Sequence, residues 1–380
     1  MNRALLDISL IVAASALLAW LAVVLRQPVI MAYVACGLLA GPWGLGLVSG
    51  TEFTGAVSQF GIILLLFHAG MVLHPRRLRE LALKTTAVTL GQCVLSLALV
   101  AGLGLLAGRG WTSSLYLGLA LMFSSTILVI KLMPTVALHH QHMGAYSIAI
   151  LIAQDLLAVG ALMFIDGAGH PGLLVLKGGL IIGLSLAVER WALRPAMAAV
   201  ERYRELLFLM AIGWGLGMAH LAHSIGFSPE AAAFVAGVAL ARGPLALFLS
   251  EGLKMFRDFF LVFFFFVLGA QLNPAELGGV ALLSAALAVL LMLSKYLGFM
   301  LLFRATGESA EFAREAGLRL SQSSEFALII AAAALGRGRI PSSTAGIIQL
   351  TTLATMIISS YLVVFLFPTP LGVTKGMKQD

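Results

Sequence analysis

Long apolar blocks, interrupted by short clusters of charge, glycine and proline, make up almost the whole chain. A helix needs about 20 apolar residues to cross a hydrocarbon layer ~30 Å thick. The pattern predicts thirteen spans, at 5–25, 29–47, 55–73, 87–106, 114–133, 146–165, 173–188, 206–222, 229–241, 259–272, 277–302, 316–335 and 345–367. The ninth and tenth are short for a full crossing, and 245–256 between them reads as an interfacial helix.

Composition agrees with this layout. Apolar residues make up 60% of the 380 and charged residues 11%, against about 25% charged in an average soluble domain. That excludes a soluble enzyme, a disordered chain and a disulfide-built secreted scaffold. The formal charge of +7 does not point to nucleic acid, because the basic residues sit in short loops between apolar blocks. With the N-terminus placed outside, seventeen Lys and Arg fall in inside segments, four in outside segments and three within spans. This bias predicts an outside N-terminus and a cytoplasmic C-terminus in the plasma (inner) membrane. Cys36 and Cys93 lie in apolar runs and imply no disulfide framework. No small-residue cleavage site follows Met1-Asn2-Arg3, so no removable signal peptide is read.

The chain also resembles itself at an offset of about 200. Phe67-x-x-Gly70-x-x-Leu73-x-Pro75 matches Phe266-x-x-Gly269-x-x-Leu272-x-Pro274. Ala32-Tyr33-Val34-Ala35, ending at Gly41-Pro42, matches Ala233-Phe234-Val235-Ala236, ending at Gly243-Pro244. Ser124-Ser125-Thr126 matches Ser323-Ser324-Glu325. Spans 1–6 thus fall on spans 8–13, and a shift of seven spans inverts their orientation. The expected fold is an all-α membrane protein of two inverted six-helix repeats, 1–166 and 205–368, joined by a helix at 172–190. Inverted repeats of this kind mark secondary transporters, whose site lies near the midplane between them.

A charge inside hydrocarbon is costly and needs a function. Three stand near span centres: Asp155, Lys295 and Glu325. Asp155 sits at the middle of span 6 and is the expected carboxylate for a monovalent cation or a proton, with the Gln154 amide oxygen as a neutral ligand. Ser124, Ser125 and Thr126 are expected to break span 5, because hydroxyls can satisfy freed backbone groups. The exposed carbonyls and hydroxyls are hard oxygen ligands for an alkali cation. Ser323 and Ser324 repeat the device in span 12, so two broken helices are expected to cross at the midplane. Lys295 reads either as the counter-charge of Asp155 or as part of a stabilising pair, and Glu325 as a helix-end charge. Glu189, Asp258 and Glu315 are expected to be solvated, and Asp7 to reach outward. His68 and His74 suit a pH sensor or plain packing. His139, His140 and His142 read as a solvated loop. No metal set, catalytic triad or phosphate loop appears, so no enzyme and no resident cofactor is expected.

Gly41-Pro42-Trp43-Gly44-Leu45, Ser124-Ser125-Thr126, Gln154-Asp155, Lys295 and Gln322-Ser323-Ser324-Glu325-Phe326 together resemble the membrane domain of the second monovalent cation:proton antiporter family, especially its glutathione-gated potassium-efflux branch. The resemblance implies a homodimer among membrane lipids. It implies a scaffold from spans 1–3 and 8–10 and a mobile core from spans 4–6 and 11–13 that moves as an elevator. It carries the family's ion-binding aspartate onto Asp155 and its buried lysine onto Lys295. Gln154 stands where sodium-transporting relatives often have a first aspartate, which favours potassium, and Val72 stands where relatives usually have an acidic residue. Potassium-efflux relatives append a cytoplasmic nucleotide-binding domain that these residues do not include. Two expectations follow, a separate cytoplasmic regulatory domain or subunit as partner, or a protein that works without that gate, and glutathione gating is not carried over. The expected function is exchange of potassium for protons. A sodium:proton antiporter, a gated potassium channel and an organic-anion symporter are the alternatives.

Overall fold

A computed structural model describes residues 3–367 except 26, 28, 49–51, 73–74, 134–141, 167–170, 242, 244 and 272–277. His74, His139 and His140 thus lie outside the described residues. Among those described the secondary structure is helical, with no strand. The helices are α1 Arg3–Val24, α2 Val29–Ala40, α3 Glu52–Val72, α4 Pro75–Leu106, α5 Trp111–Leu121, α6 Thr126–Leu132, α7 His142–Asp166 and α8 Pro171–Val188. After a π-turn at Glu189–Leu193 come α9 Arg194–Ala199, α10 Arg204–Ser224, α11 Pro229–Leu240, α12 Ala246–Ala270, α13 Ala281–Ala305, α14 Ala310–Arg319, α15 Phe326–Gly336 and α16 Ser342–Leu366. Among the described residues seven of them contain a stretch long and apolar enough to cross a membrane, and α2, α11 and α15 are shorter apolar helices.

Spans 5 and 12 are each split at the hydroxyl runs where breaks were expected, into α5 with α6 and α14 with α15, and one element departs from the expected layout. The expected interfacial helix at 245–256 is not separate: it runs on into the tenth span as the 25-residue α12. No proline interrupts 246–270, so nothing breaks the hydrogen-bond ladder. Its charged residues are accommodated on the helix, with Arg257 paired to the exposed carboxylate of Asp258 at 2.6 Å.

The chain packs as two compact units. The first comprises Met1–Ser15, Tyr33–Arg76 and Val159–Gln271. Its helices approach closely enough for backbone to touch backbone. A Cβ on Gly70 would strike the Phe234 carbonyl, and one on Gly237 would strike that of Phe67. Likewise, a Cβ on Gly37 would strike the Phe266 carbonyl, and one on Gly269 that of Val34. Phe67 with Gly70 on α3 therefore locks onto Phe234 with Gly237 on α11, and Phe266 with Gly269 on α12 onto Val34 with Gly37 on α2. Small residues permit such approach in membrane helices, where dispersion contacts rather than water drive packing.

Two carboxylates of this unit are not where the sequence suggested. Glu189, expected in solvent, is 2% exposed and accepts a 2.8 Å bond from Arg194 Nε. Residues five apart diverge on an α-helix, but the wider π-turn brings them together. Asp7, expected to reach outward, is 3% exposed; its side chain is too short to snorkel as lysine and arginine do.

The second unit comprises Ala16–Ala32, Arg77–Ala158 and Leu272–Asp380. Its core joins Val88 of α4, Tyr146 and Ile150 of α7, Phe299 and Phe303 of α13, and Ala313 and Ala316 of α14.

Candidate ion-binding site

The site is built in the second unit at the two helix breaks. Serine and threonine hydroxyls compete with the helical ladder for backbone groups, and here they end one helix and start another. Ser125 takes extended geometry after α5 and accepts the Leu128 amide at 3.1 Å, capping α6. In the partner break, Ser324 Oγ accepts the Phe326 amide at 3.2 Å at the head of α15. Ser124, Ser125 and residues 321–325 are all buried, so each freed backbone group needs a partner.

The two breaks are stitched to one another. Ser124 Oγ donates to the Leu320 carbonyl at 2.7 Å, and Gln322 Nε2 reaches the Ser125 carbonyl at 3.5 Å. Lys295, fully buried on α13, donates to the carbonyls of Phe123 at 2.7 Å and Gln322 at 3.1 Å, and to Ser124 Oγ at 3.3 Å. An ammonium has three donors, and all three are used on oxygens. Two of these oxygens belong to the carbonyl ends left by the broken helices, where the helix dipole is negative. Lys295 therefore holds the crossing together, and among the described residues no ion pair joins it to Asp155.

Flanking helices hold each break from outside. Gln154 Oε1 accepts the Ser124 amide at 2.8 Å. Thr355 Oγ1 accepts the Ser323 amide at 3.1 Å, and Ser359 Oγ donates to Gln322 Oε1 at 3.2 Å. Gln154, expected as a neutral cation ligand, is thus buried and turned to the backbone. Gln322, Thr355 and Ser359 were not among the expected site residues. The signal available was the hydroxyl stripe Thr351, Thr352, Thr355 and Ser359, on one face of span 13.

Asp155 differs from its neighbours in being only partly buried. Its two carboxylate oxygens each lie 3.3 Å from Thr126 Oγ1, at the head of α6. Glu325 occupies the matching place at the head of α15 and is buried. Carboxylates thus stand at the positive helix starts and an ammonium at the negative helix ends. A partly buried carboxylate beside a hydroxyl offers hard oxygens to an alkali cation or a proton. Among the described residues no group of three His, Cys, Asp or Glu could hold a metal.

Residues 11–369 match the family described as sodium/hydrogen exchanger, transmembrane. The chain belongs to that family. The exchanger is therefore a multi-pass membrane transporter of the cation:proton antiporter class and not an enzyme. Its fold is similar to the sodium proton antiporter MjNhaP1 of Methanocaldococcus jannaschii at pH 8, with a TM-score of 0.71, 17% identity, and coverage of 93% of this chain and 94% of that one. A second structure of that antiporter, from electron microscopy, matches with a TM-score of 0.67, 17% identity, and coverage of 97% and 98%.

His68 of the exchanger is not free to sense pH. On the first unit's α3, its Nδ1 lies 2.9 Å from Arg257 Nη1. A guanidinium can only donate, so Nδ1 accepts and the ring proton is on Nε2, which donates to the Ser250 carbonyl at 3.1 Å. His68 is a neutral staple between α3 and two points of α12.

Proposed function

We propose that the exchanger trades one monovalent cation for one proton at Asp155. The observation that carries this reading is the partly buried carboxylate of Asp155 beside the Thr126 hydroxyl and two stitched helix breaks. A bare charge is costly in hydrocarbon, so the carrier shifts only with Asp155 neutralised by a cation or a proton. Competition for the same oxygens then couples the two fluxes. With one carboxylate serving both ions, one proton trades for one cation, and the exchange is electroneutral.

Sodium is the favoured cation. The case for potassium rested on Gln154 replacing an aspartate among the ligands, and the Gln154 oxygen is committed to the Ser124 amide. The family description and the fold shared with a sodium proton antiporter support sodium. Two separately packed units support an elevator, the unit with Asp155 and both breaks being the moving core. The reciprocal glycine contacts support an inverted repeat: Phe67 with Gly70 and Phe266 with Gly269 do the same job at an offset of 199, and Val34 with Gly37 and Phe234 with Gly237 at 200. A homodimer in the plasma membrane, with its N-terminus outside, completes the proposal.

Dye-monitored exchange in proteoliposomes tests it, with sodium, potassium, lithium and rubidium supplied in turn and the membrane potential either clamped at zero or imposed. Sodium-driven proton flux indifferent to the potential is expected. Cation current without proton movement would refute exchange, and a rate that follows the potential would refute the one-for-one count.

A further inference from the structure

The short helix that presents Thr126 to Asp155 is held at its far end by a buried arginine. α6 runs for 7 residues, about 10 Å, and ends at Leu132. Arg319 Nη1 donates to the Leu132 carbonyl at 2.8 Å. The guanidinium is itself fixed on α14, where Nε and Nη2 each lie 2.8 Å from Glu315 Oε1. Its outer face meets the Phe367 ring, 5.4 Å from the centroid. Arg319 is 2% exposed, so this is a packed clamp and not a surface pair. Arg319 was read as one of three basic residues falling within spans, and Glu315 as a solvated one. Their 4-residue spacing on α14 pairs them instead.

We infer that Arg319 is a positioning residue for cation binding, acting through α6. Too short to hold its place by its own ladder, α6 is fixed by what grips its two ends. Ser125 caps its start, Arg319 satisfies its last carbonyl, and the guanidinium charge stands at the negative end of the helix dipole. With both ends fixed, Thr126 Oγ1 stays equidistant from the two oxygens of Asp155. Loosening the far end lets the hydroxyl leave that position, which weakens cation binding without removing any atom from the site. The position matching Arg319 in the first repeat is Ala120, so the clamp belongs to one break only. Glu315, 27% exposed, orients the guanidinium and is the second member of the device.

The inference rests on Asp155 being the cation site, and the test separates the two. Sodium-dependent exchange is measured in proteoliposomes for Arg319→Gln, Arg319→Lys and Glu315→Gln, with Asp155→Asn alongside. Arg319→Gln is expected to raise the half-saturating sodium concentration at least fivefold with the maximal rate within twofold of normal, the signature of lost binding that is uniform along the reaction. Arg319→Lys, which can still reach the Leu132 carbonyl, is expected to recover most of that loss, and Glu315→Gln to raise the concentration two- to threefold. An unchanged half-saturating concentration in Arg319→Gln, or a fall in maximal rate that Arg319→Lys does not repair, would overturn the clamp. If Arg319→Gln is not recovered as folded protein, Glu315→Gln decides: an unchanged sodium requirement there overturns the inference. If Asp155→Asn still exchanges, the site assignment fails instead, whatever the arginine variants do.

Discussion

The proposed cation site comes down to one carboxylate and one hydroxyl beside it. Thr126 Oγ1 faces both oxygens of Asp155, so removing the hydroxyl while keeping the shape isolates its contribution. Thr126→Val is expected to raise the half-saturating cation concentration about tenfold, a loss of about 1.4 kcal/mol, and Thr126→Ser to stay near the original value. Half-saturation of exchange in proteoliposomes gives both numbers. His68 supplies the opposite lesson: glutamine can accept from Arg257 and donate to Ser250 as the neutral imidazole does. The pH dependence of exchange is therefore expected to be unchanged in His68→Gln. A displaced pH midpoint would restore the sensor reading. At this scale the sequence marked Asp155 because an acid in the middle of an apolar span is rare. It could not show that the neighbouring Gln154 turns inward, because residues one apart on a helix face about 100° from each other and only packing says which of them is buried. Nor could it reveal that Glu189 is buried, since a π-turn leaves no mark in composition.

Among the elements, the broken helices were legible because two hydroxyl runs interrupt apolar spans and recur at one offset. The residues that hold those breaks were not. Thr355 and Ser359 belong to a stripe of hydroxyls that would serve equally well for ordinary helix packing, and only the partner across the gap, Ser323 or Gln322, distinguishes the roles. Apolar length alone split α12 into two pieces, where an unbroken backbone ladder makes it one. The glycines of the first unit were visible as a repeated motif, but their purpose lies in what they touch. Gly269 leaves no space for a side chain against the Val34 carbonyl. Gly269→Val is expected to cost about 1–3 kcal/mol through overpacking, seen as a lower melting temperature of the purified protein. A valine in the open setting of Gly183, where a Cβ meets nothing within 4 Å, serves as the control and is expected to leave the melting temperature within a degree or two.

For the molecule as a whole, the two units separate two tasks. One is a bundle fastened by backbone contact and a neutral histidine staple. The other carries every group placed at the helix crossing: a saturated ammonium, two carboxylates at helix starts, and an arginine clamp. Of those groups Asp155 is the partly exposed one, and the proposed exchange routes both fluxes through it. The most direct measurement is therefore tracer-sodium uptake together with dye-reported proton flux in vesicles carrying Asp155→Asn, with the purified variant first shown to be monodisperse and to melt near the original temperature. Both fluxes are expected to vanish together. Sodium uptake coupled to proton release at anything near the normal rate, in a variant that folds, would contradict exchange at Asp155.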